Sequence, residues 1–413
     1  MSDPSDEVVA AVAEAHRRDW AQVLATTAQL TRDLDLAEEC AQDAYAQALE
    51  TWGERGVPER PGAWLTTSAR NRALDVLRRD SVFRRRMPLL VADEVAHGPE
   101  EALDDDRLRL IFTCTHPALS TDAQVALTLR LVCGLSTPEV ARAFLVPPAT
   151  MAARITRAKK KIAAARIPYR VPGPDDLGER VSAVLEVVHL IFTTGHTAPF
   201  GADLVRRDLT GGAIRLARLL HLLMPANAEI TALLALLLLN AARQETRTGA
   251  DGRLVLLSEQ DRSRWDRNLI AEGQPLLTEA LLRRPPTRYA VQAAIAALHA
   301  EAPTWAGTDW DEIVRLYDVL HRLWPSPVVE LNRAVAVGER DGPRAGLDAL
   351  TPLLADPALA TYGYLSAARA DFLRRLRLWP QAVTAYEEAL TLTDNEAERA
   401  FLGDRLAEVS REL

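Results

Sequence analysis

The chain has 413 residues, which is too long for one ordinary hydrophobic core and predicts roughly two to four domains. Its apolar content of 48% is normal for a globular protein, so a sizeable core is available, and sparse aromatic residues, at 5%, with dominant Ala, Leu and Arg favour helices over strands. The formal net charge of −8 also excludes a generally basic protein that would bind any nucleic acid along its whole surface.

The charge is distributed unevenly along the chain. Residues 1–54 hold twelve acidic residues against three arginines, whereas residues 55–86 hold nine arginines against three acidic residues. Residues 142–170 contain eight basic residues and no acidic one. Two basic segments in an acidic chain predict local contacts with anionic partners.

Several classes of site are not expected. The three cysteines, Cys40, Cys114 and Cys133, are far apart and are interpreted as buried thiols in a reducing compartment. His189 and His196 lack a third ligand at metal-binding spacing, so neither a metal nor a cofactor is predicted. The N-terminus shows no signal peptide and no apolar run reaches the roughly 20 residues of a membrane span, which predicts a cytoplasmic protein without membrane contact.

The first 80 residues predict three helices. Residues 6–31 show helical periodicity, and a second helix, LAEECAQDAYAQALETW, opens after Asp33. One face of this second helix is apolar, and the opposite face collects acidic and amide groups. After a break at GERGVPERPG, a basic helix is predicted from Ala63 to Asp80.

The remaining chain predicts further helical segments. Residues 81–104 have the composition of an acidic linker, and residues 105–166 form a compact helical unit. A Pro- and Gly-containing stretch then precedes residues 175–413, where strongly apolar helices recur. Similar spacing of small residues in 342–354 and 378–392 suggests helical-pair repeats, and the whole chain is predicted to be all-α.

The segment LSTPEVARAFLVPPATMAARITRAKKKI, residues 135–162, has the pattern of a helix-turn-helix. Ser136 or Thr137 can cap a short first helix, which the two prolines at 147–148 end. In the second helix Met151 and Ile155 face inward. Small outer residues would let this helix enter the DNA major groove, and its arginines and lysines would reach base edges and phosphates.

Three segments resemble the sigma-70 family of bacterial RNA polymerase initiation factors, in its compact extracytoplasmic-function (ECF) type. Residues 33–52 resemble the polymerase-binding helix of region 2, and RPGAWLTTSARNRALDVLRR, residues 60–79, resembles the helix that reads and melts the promoter −10 element. Residues 135–162 resemble the region 4 helix-turn-helix that reads the −35 element. Residues beyond 170 resemble the tetratricopeptide-like extension of one ECF group.

The resemblance implies a role for each set of residues. Those implied to face the β′ clamp helices of core polymerase are Asp35, Glu38, Glu39, Gln42 and Asp43. Those implied to lie along the −10 strand are Trp64, Arg70, Asn71, Arg78 and Arg79, although Trp64 favours a core position over base stacking. Those implied to contact the −35 element are Thr150, Ala152, Ala153, Arg154, Thr156, Arg157, Lys159 and Lys160.

Some positions depart from the family pattern. The usual glycine of the helix-turn-helix turn is Leu145, and the usual glycine between the helices of the last repeat is Arg377. Ala152 and Ala153 replace larger polar residues, so methyl contacts or DNA shape would carry more of the recognition.

The predicted organisation is a region 2 domain at 1–80, the acidic linker at 81–104, a region 4 domain at 105–166 and the helical extension at 175–413. The implied partners are promoter DNA and core RNA polymerase, through the β′ clamp helices and the β subunit, with the extension regulating activity or binding a partner. The alternative is a helix-turn-helix regulator that acts without polymerase and carries a sensory repeat domain. An enzyme is the least favoured interpretation, because no catalytic constellation is evident.

Overall fold

The fold is all-α, as predicted. A computed structural model describes residues 6–79, 106–144, 146–249, 251–283 and 285–413. These residues contain two strands of two residues each, β1 (Phe200–Gly201) and β2 (Asp394–Asn395), which pair in parallel with Phe200 opposite Asp394. The linker at 81–104 and the turn residue Leu145 lie outside the described residues.

Three helices make up the N-terminal part, as the periodicity predicted. They are α1 (Asp6–Thr31), α2 (Leu34–Arg55) and α3 (Pro61–Arg79). The predicted start of α2 is confirmed, because the Asp33 carboxylate accepts hydrogen bonds from the backbone of Asp35 and Leu36. All three helices pack on one another around buried side chains such as Leu24, Trp52 and Leu65.

The next segment is built from short helices. They are α4 (Asp106–Cys114), α5 (Thr121–Leu127) with a π-helical turn at Thr128–Val132, α6 (Thr137–Ala143) and α7 (Pro148–Ala164). Their core includes Leu110, Phe112 and Leu129, which are almost completely buried. Helix α4 and the π-helical turn both pack against α1, so residues 106–164 are joined directly to the N-terminal helices.

Eleven further α-helices follow in the described residues. They are α8 (Pro174–His196), α9 (Arg207–Leu223), α10 (Ala228–Ala241), α11 (Arg267–Leu282), α12 (Arg288–Glu301), α13 (Trp310–Leu323), α14 (Pro327–Asp341), α15 (Pro343–Leu350), α16 (Gly363–Arg375), α17 (Trp379–Thr391) and α18 (Glu396–Ser410). Among the described residues, no helix is both long and apolar enough to cross a membrane. Residues 254–257 are not helical, and Leu254 forms an isolated antiparallel bridge with Thr248.

From α13 onward the helices pack mainly on their immediate neighbours in the chain. Small residues stand where the helices cross: Gly338 of α14 and Gly346 of α15 approach so closely that an added Cβ on either would overlap the Phe372 ring of α16. This nearest-neighbour packing is the arrangement that helical repeats use. Arg377 adopts a φ of 58° in the turn before α17, the left-handed conformation for which a glycine is usual.

The charged stretch at 258–268 is mostly exposed, but it contains a buried arginine. Arg262 is buried, and its guanidinium donates hydrogen bonds to the carbonyl oxygens of His299 at 2.9 Å and Ala302 at 2.8 Å. A third bond reaches Thr308 Oγ1 at 3.1 Å. Arg262 therefore holds the end of α12 and the following loop to the middle of this stretch.

The chain separates into two compact units. One is Met1–Leu190 with Leu222–Met224, and the other is Ile191–His221 with Pro225–Leu413. The four sequence ranges predicted as domains and linker remain a prediction. What matters for the site is that α1 to α7 lie in one compact unit, so contacts among them belong to a single packed body.

Candidate nucleic-acid interface

The helix-turn-helix forms where the sequence pattern predicted it. Ser136 caps α6 with a reciprocal pair of hydrogen bonds: its Oγ accepts from the Glu139 backbone at 3.4 Å, and the Glu139 carboxylate accepts from the Ser136 backbone at 2.7 Å. Helix α7 then begins at Pro148, with Met151 and Ile155 buried against the rest of the unit. The cap and the buried pair orient the opposite face of α7 outward.

Most residues predicted to contact the −35 element do lie on this outer face. The exposed members are Thr150, Ala152, Ala153, Thr156, Arg157 and Lys160. Arg154 is half-buried, because its guanidinium lies over the Phe144 ring at 5.3 Å and bonds to Asp122 at 3.3 Å. This face carries small side chains near the start of α7 and basic side chains near its end, a pattern that suits entry into a major groove.

Lys159 does not belong to this outer face. Its side chain is 8% exposed, and its Nζ lies 2.8 Å from Asp35 Oδ1 and 2.5 Å from Glu38 Oε2, both on α2. The expectation that it faces outward with Lys160 overlooked the helical spacing. Lys159 follows Met151 and Ile155 at intervals of four residues and shares their buried stripe. That spacing was the signal available in the sequence.

Burial and ion pairing act in opposite directions on Lys159. Burial lowers the pKa of its ammonium group, but the Glu38 and Asp35 carboxylates together outweigh burial, and the net shift is upward. Lys159 is therefore charged at neutral pH. A charged ammonium group in this position is held by its two acidic partners.

The acidic face of α2 is only partly open to solvent. Asp35, Glu39 and Gln42 are exposed, whereas Asp43 is half-buried and bonds to Arg72 of α3 at 2.9 Å. Glu38 is buried, and it receives both Lys159 and the guanidinium of Arg130. The five residues thus lie along one helix as predicted, and their contact with polymerase remains a prediction.

On α3, the predicted −10 residues Arg70, Asn71, Arg78 and Arg79 are all exposed. Trp64 is half-buried and lies edge-to-face against Trp52 of α2, with ring centroids 5.6 Å apart. This packing agrees with the sequence-based preference for a core position. The DNA contacts of the exposed residues remain a prediction.

Sequence reasoning missed Arg130 and Trp20. Arg130, in the π-helical turn, pairs with Glu38 and lies over the Trp20 ring at 5.9 Å. Trp20 Nε1 donates a hydrogen bond to the carbonyl oxygen of Leu131 at 3.0 Å. A single arginine within the apolar run LTLRLV was a hint of a buried acidic partner, but nothing in the sequence identified Glu38 as that partner.

Comparisons with known proteins agree with this arrangement. Residues 14–82 match the family model for sigma-70 region 2, residues 109–162 match sigma-70 region 4, and residues 180–281 match a family of unknown function, DUF6596. An uncharacterized protein of Rhizobium meliloti (strain 1021) is 43% identical over 399 residues, which cover 95% of this chain and 94% of that protein. No solved structure matches the chain.

Among the described residues, no cluster of three or more potential metal ligands occurs. The site consists instead of an exposed helix-turn-helix face, an arginine-bearing helix and an acidic helix, and the two sigma-70 matches cover these elements in order. Sigma-70 proteins are transcription factors that bind core RNA polymerase and promoter DNA. The chain belongs to the sigma-70 family of sigma factors.

Proposed function

We propose that the chain acts as an ECF-type sigma factor, which brings core RNA polymerase to promoters that carry −35 and −10 elements. In this proposal α7 reads the −35 element, α3 contacts the −10 strand, and the acidic face of α2 binds the β′ clamp helices. The observation that carries it is the joint exposure of the α7 outer face and of four polar or basic residues on α3. Arginines there supply phosphate contacts, and the small residues of α7 permit close approach to bases.

We propose further that the helical extension regulates this activity or binds a protein partner. Support comes from its packing, in which small residues such as Gly338 and Gly346 let successive helices cross closely. Such arrays use extended surfaces to bind partners. Removing residues 197–413, which keeps α8 whole, should change promoter-driven transcription or its response to inducing conditions, and an unchanged response would contradict this role.

The polymerase contact separates this proposal from a regulator that acts without polymerase. Glu39→Arg reverses the charge of an exposed residue in the acidic face, and Glu50→Arg makes the same change about three turns further along the same helix, beyond the five residues assigned to polymerase binding. We expect Glu39→Arg to weaken binding to purified core polymerase and Glu50→Arg to leave it intact. Tight promoter binding without any binding to polymerase would favour the regulator instead.

A further inference from the structure

Two arginine side chains of the second compact unit converge on one residue, His196 at the end of α8. The Arg243 guanidinium donates hydrogen bonds to His196 Nε2 at 3.4 Å and to Asn240 Oδ1 at 3.3 Å. The Arg247 guanidinium donates one hydrogen bond to the His196 carbonyl oxygen and another to Thr197 Oγ1, the latter at 2.9 Å. Two like charges are therefore held close together.

Arg243 is half-buried, yet it forms no ion pair with any of the described residues. Arg374, which is also half-buried in this unit, pairs in the usual way with Asp371 at 2.7 Å. Burial lowers the pKa of Arg243, and the charge of Arg247 lowers it further. A guanidinium nevertheless stays charged at neutral pH, and a buried charge without an opposite charge is strongly destabilising. An anion from outside the chain would supply the missing partner.

Arg247 has an acidic neighbour that compensates only part of the charge. Glu398 acts on Arg247 electrostatically, but its carboxylate accepts a hydrogen bond from the Tyr364 hydroxyl at 2.5 Å. His196 and His299 add no charge at neutral pH, because burial, and then nearby arginines, lower the pKa of both rings. The cluster thus sets two guanidinium groups against one carboxylate and keeps an excess of positive charge.

Several hydrogen-bond donors of this cluster remain open to solvent. Arg243, Tyr317 of α13 and His299 of α12 are half-buried, although burial is the largest cause of the pKa shift of each. Side chains that protein surrounds and solvent still reaches line a recess. Within the part of the chain that the structure describes, Arg243 Nε, Arg243 Nη1 and the Tyr317 hydroxyl have no hydrogen-bond partner, and none of these atoms is fully buried. These donors are available to a ligand in the recess.

We propose that Arg243, Arg247 and the Tyr317 hydroxyl form a binding site for a small anion that carries a phosphate or carboxylate group. Both groups present acceptor oxygens that match the forked donors of a guanidinium. A small molecule is favoured over a protein or nucleic-acid surface, because the donors lie among side chains that the protein surrounds. The proposal goes beyond the sigma function and gives the helical extension a ligand.

Isothermal titration calorimetry of the full chain tests for the site directly. Inorganic phosphate and succinate are titrated separately at constant ionic strength, with chloride as the reference anion. We expect saturable binding of at least one of them, and the tighter of the two identifies phosphate or carboxylate as the preferred group. Saturable binding of neither anion would overturn the proposal and leave the sigma function untouched, because neither polymerase nor DNA takes part in the measurement.

Replacing Arg243 tests whether the anion binds in this recess. Arg243→Met removes the unpaired charge and should weaken binding by about tenfold or more, which is the usual value of a hydrogen bond to a charged group. Arg243→Lys keeps the charge without the forked donors and should bind with intermediate affinity. Arg315→Met, which replaces an exposed arginine of α13, should bind as the unaltered chain does. Equal affinities of Arg243→Met and Arg315→Met would overturn the proposal.

Thermal unfolding separates a ligand site from a purely structural role of Arg243. Without anion, Arg243→Met should unfold at the same temperature as the unaltered chain or higher, because a buried charge without a partner is removed. The anion that binds should raise the unfolding temperature of the unaltered chain but not that of Arg243→Met. A lower unfolding temperature of the anion-free variant would show that Arg243 stabilises the fold instead, which would also overturn the proposal.

Discussion

Replacing Glu38 with glutamine removes the one carboxylate that two nearly buried cations share. Glutamine keeps the size of the side chain but leaves Arg130 without that charge, and leaves Lys159 with only Asp35, whose side chain is 64% exposed. Breaking a buried ion pair by removing one partner costs about 3–5 kcal/mol. Because Asp35 still holds Lys159, the lower end of that range, about 3 kcal/mol, is expected for the interface between α2 and α7.

Lys159→Met provides the comparison. Methionine retains most of the aliphatic stem, and Glu38 keeps its pairing with Arg130, so no buried charge is left alone. The expected loss is the net value of a hydrogen bond to a charged group, about 1.5 kcal/mol. Both variants remove the Lys159–Glu38 contact. The free-energy loss on replacing Glu38 should nevertheless be about twice the loss on replacing Lys159.

Native-state hydrogen exchange of the full chain, measured by mass spectrometry on α2 and α7 peptides at pH 7, reports these losses as faster exchange through local opening. Each 1.4 kcal/mol is a factor of ten, so Glu38→Gln should accelerate exchange by about a hundredfold and Lys159→Met by about tenfold. Equal acceleration by the two variants, or a larger effect of Lys159→Met, would refute the shared-carboxylate reasoning.

Three further predictions concern other parts of the chain. Arg157→Ala should weaken binding to the preferred −35 duplex by about 1–3 kcal/mol. Lys160→Ala should instead reduce the slope of log affinity against log salt concentration by about one. Fluorescence anisotropy across a salt series distinguishes the two effects. Gly338→Ala should destabilise the C-terminal unit by about 1–3 kcal/mol through overlap with a phenylalanine ring, whereas Gly403→Ala, with open space around it, should stabilise its helix; thermal unfolding measures both. Burial and nearby arginines lower the pKa of His299 to about 3, so the unfolded chain takes up a proton below pH 6.5 while the folded chain does not, and stability should fall by about 2 kcal/mol between pH 7 and pH 5. His299→Gln should remove that part of the pH dependence, and an unchanged dependence would contradict this assignment.

Local sequence signals predicted the helices and their ends well. Periodicity identified α1 and α3, and Asp33 and Ser136 marked two helix starts because a capping side chain acts on residues two or three positions away. These signals depend only on neighbours in the chain. Helix positions and helix starts can therefore be predicted without knowledge of the tertiary structure.

Contacts between distant residues could not be predicted in the same way. Nothing local pairs Lys159 with Glu38, 121 residues away, or Trp20 with Leu131, 111 residues away. Lys159 was grouped with Lys160 because charged residues usually face solvent, and that rule fails where an acidic partner is supplied from another helix. The exposed residues of α3 and α7 were predictable because amphipathic periodicity alone decides which face is open.

The most direct measurement of the central claim is run-off transcription with purified core polymerase, this chain and a library of promoter fragments. The account predicts transcripts that start at defined sites only when the chain is added, and that are lost when the acidic face of α2 is reversed. A core preparation that starts correctly with another sigma factor but yields no defined start with this chain would contradict the account.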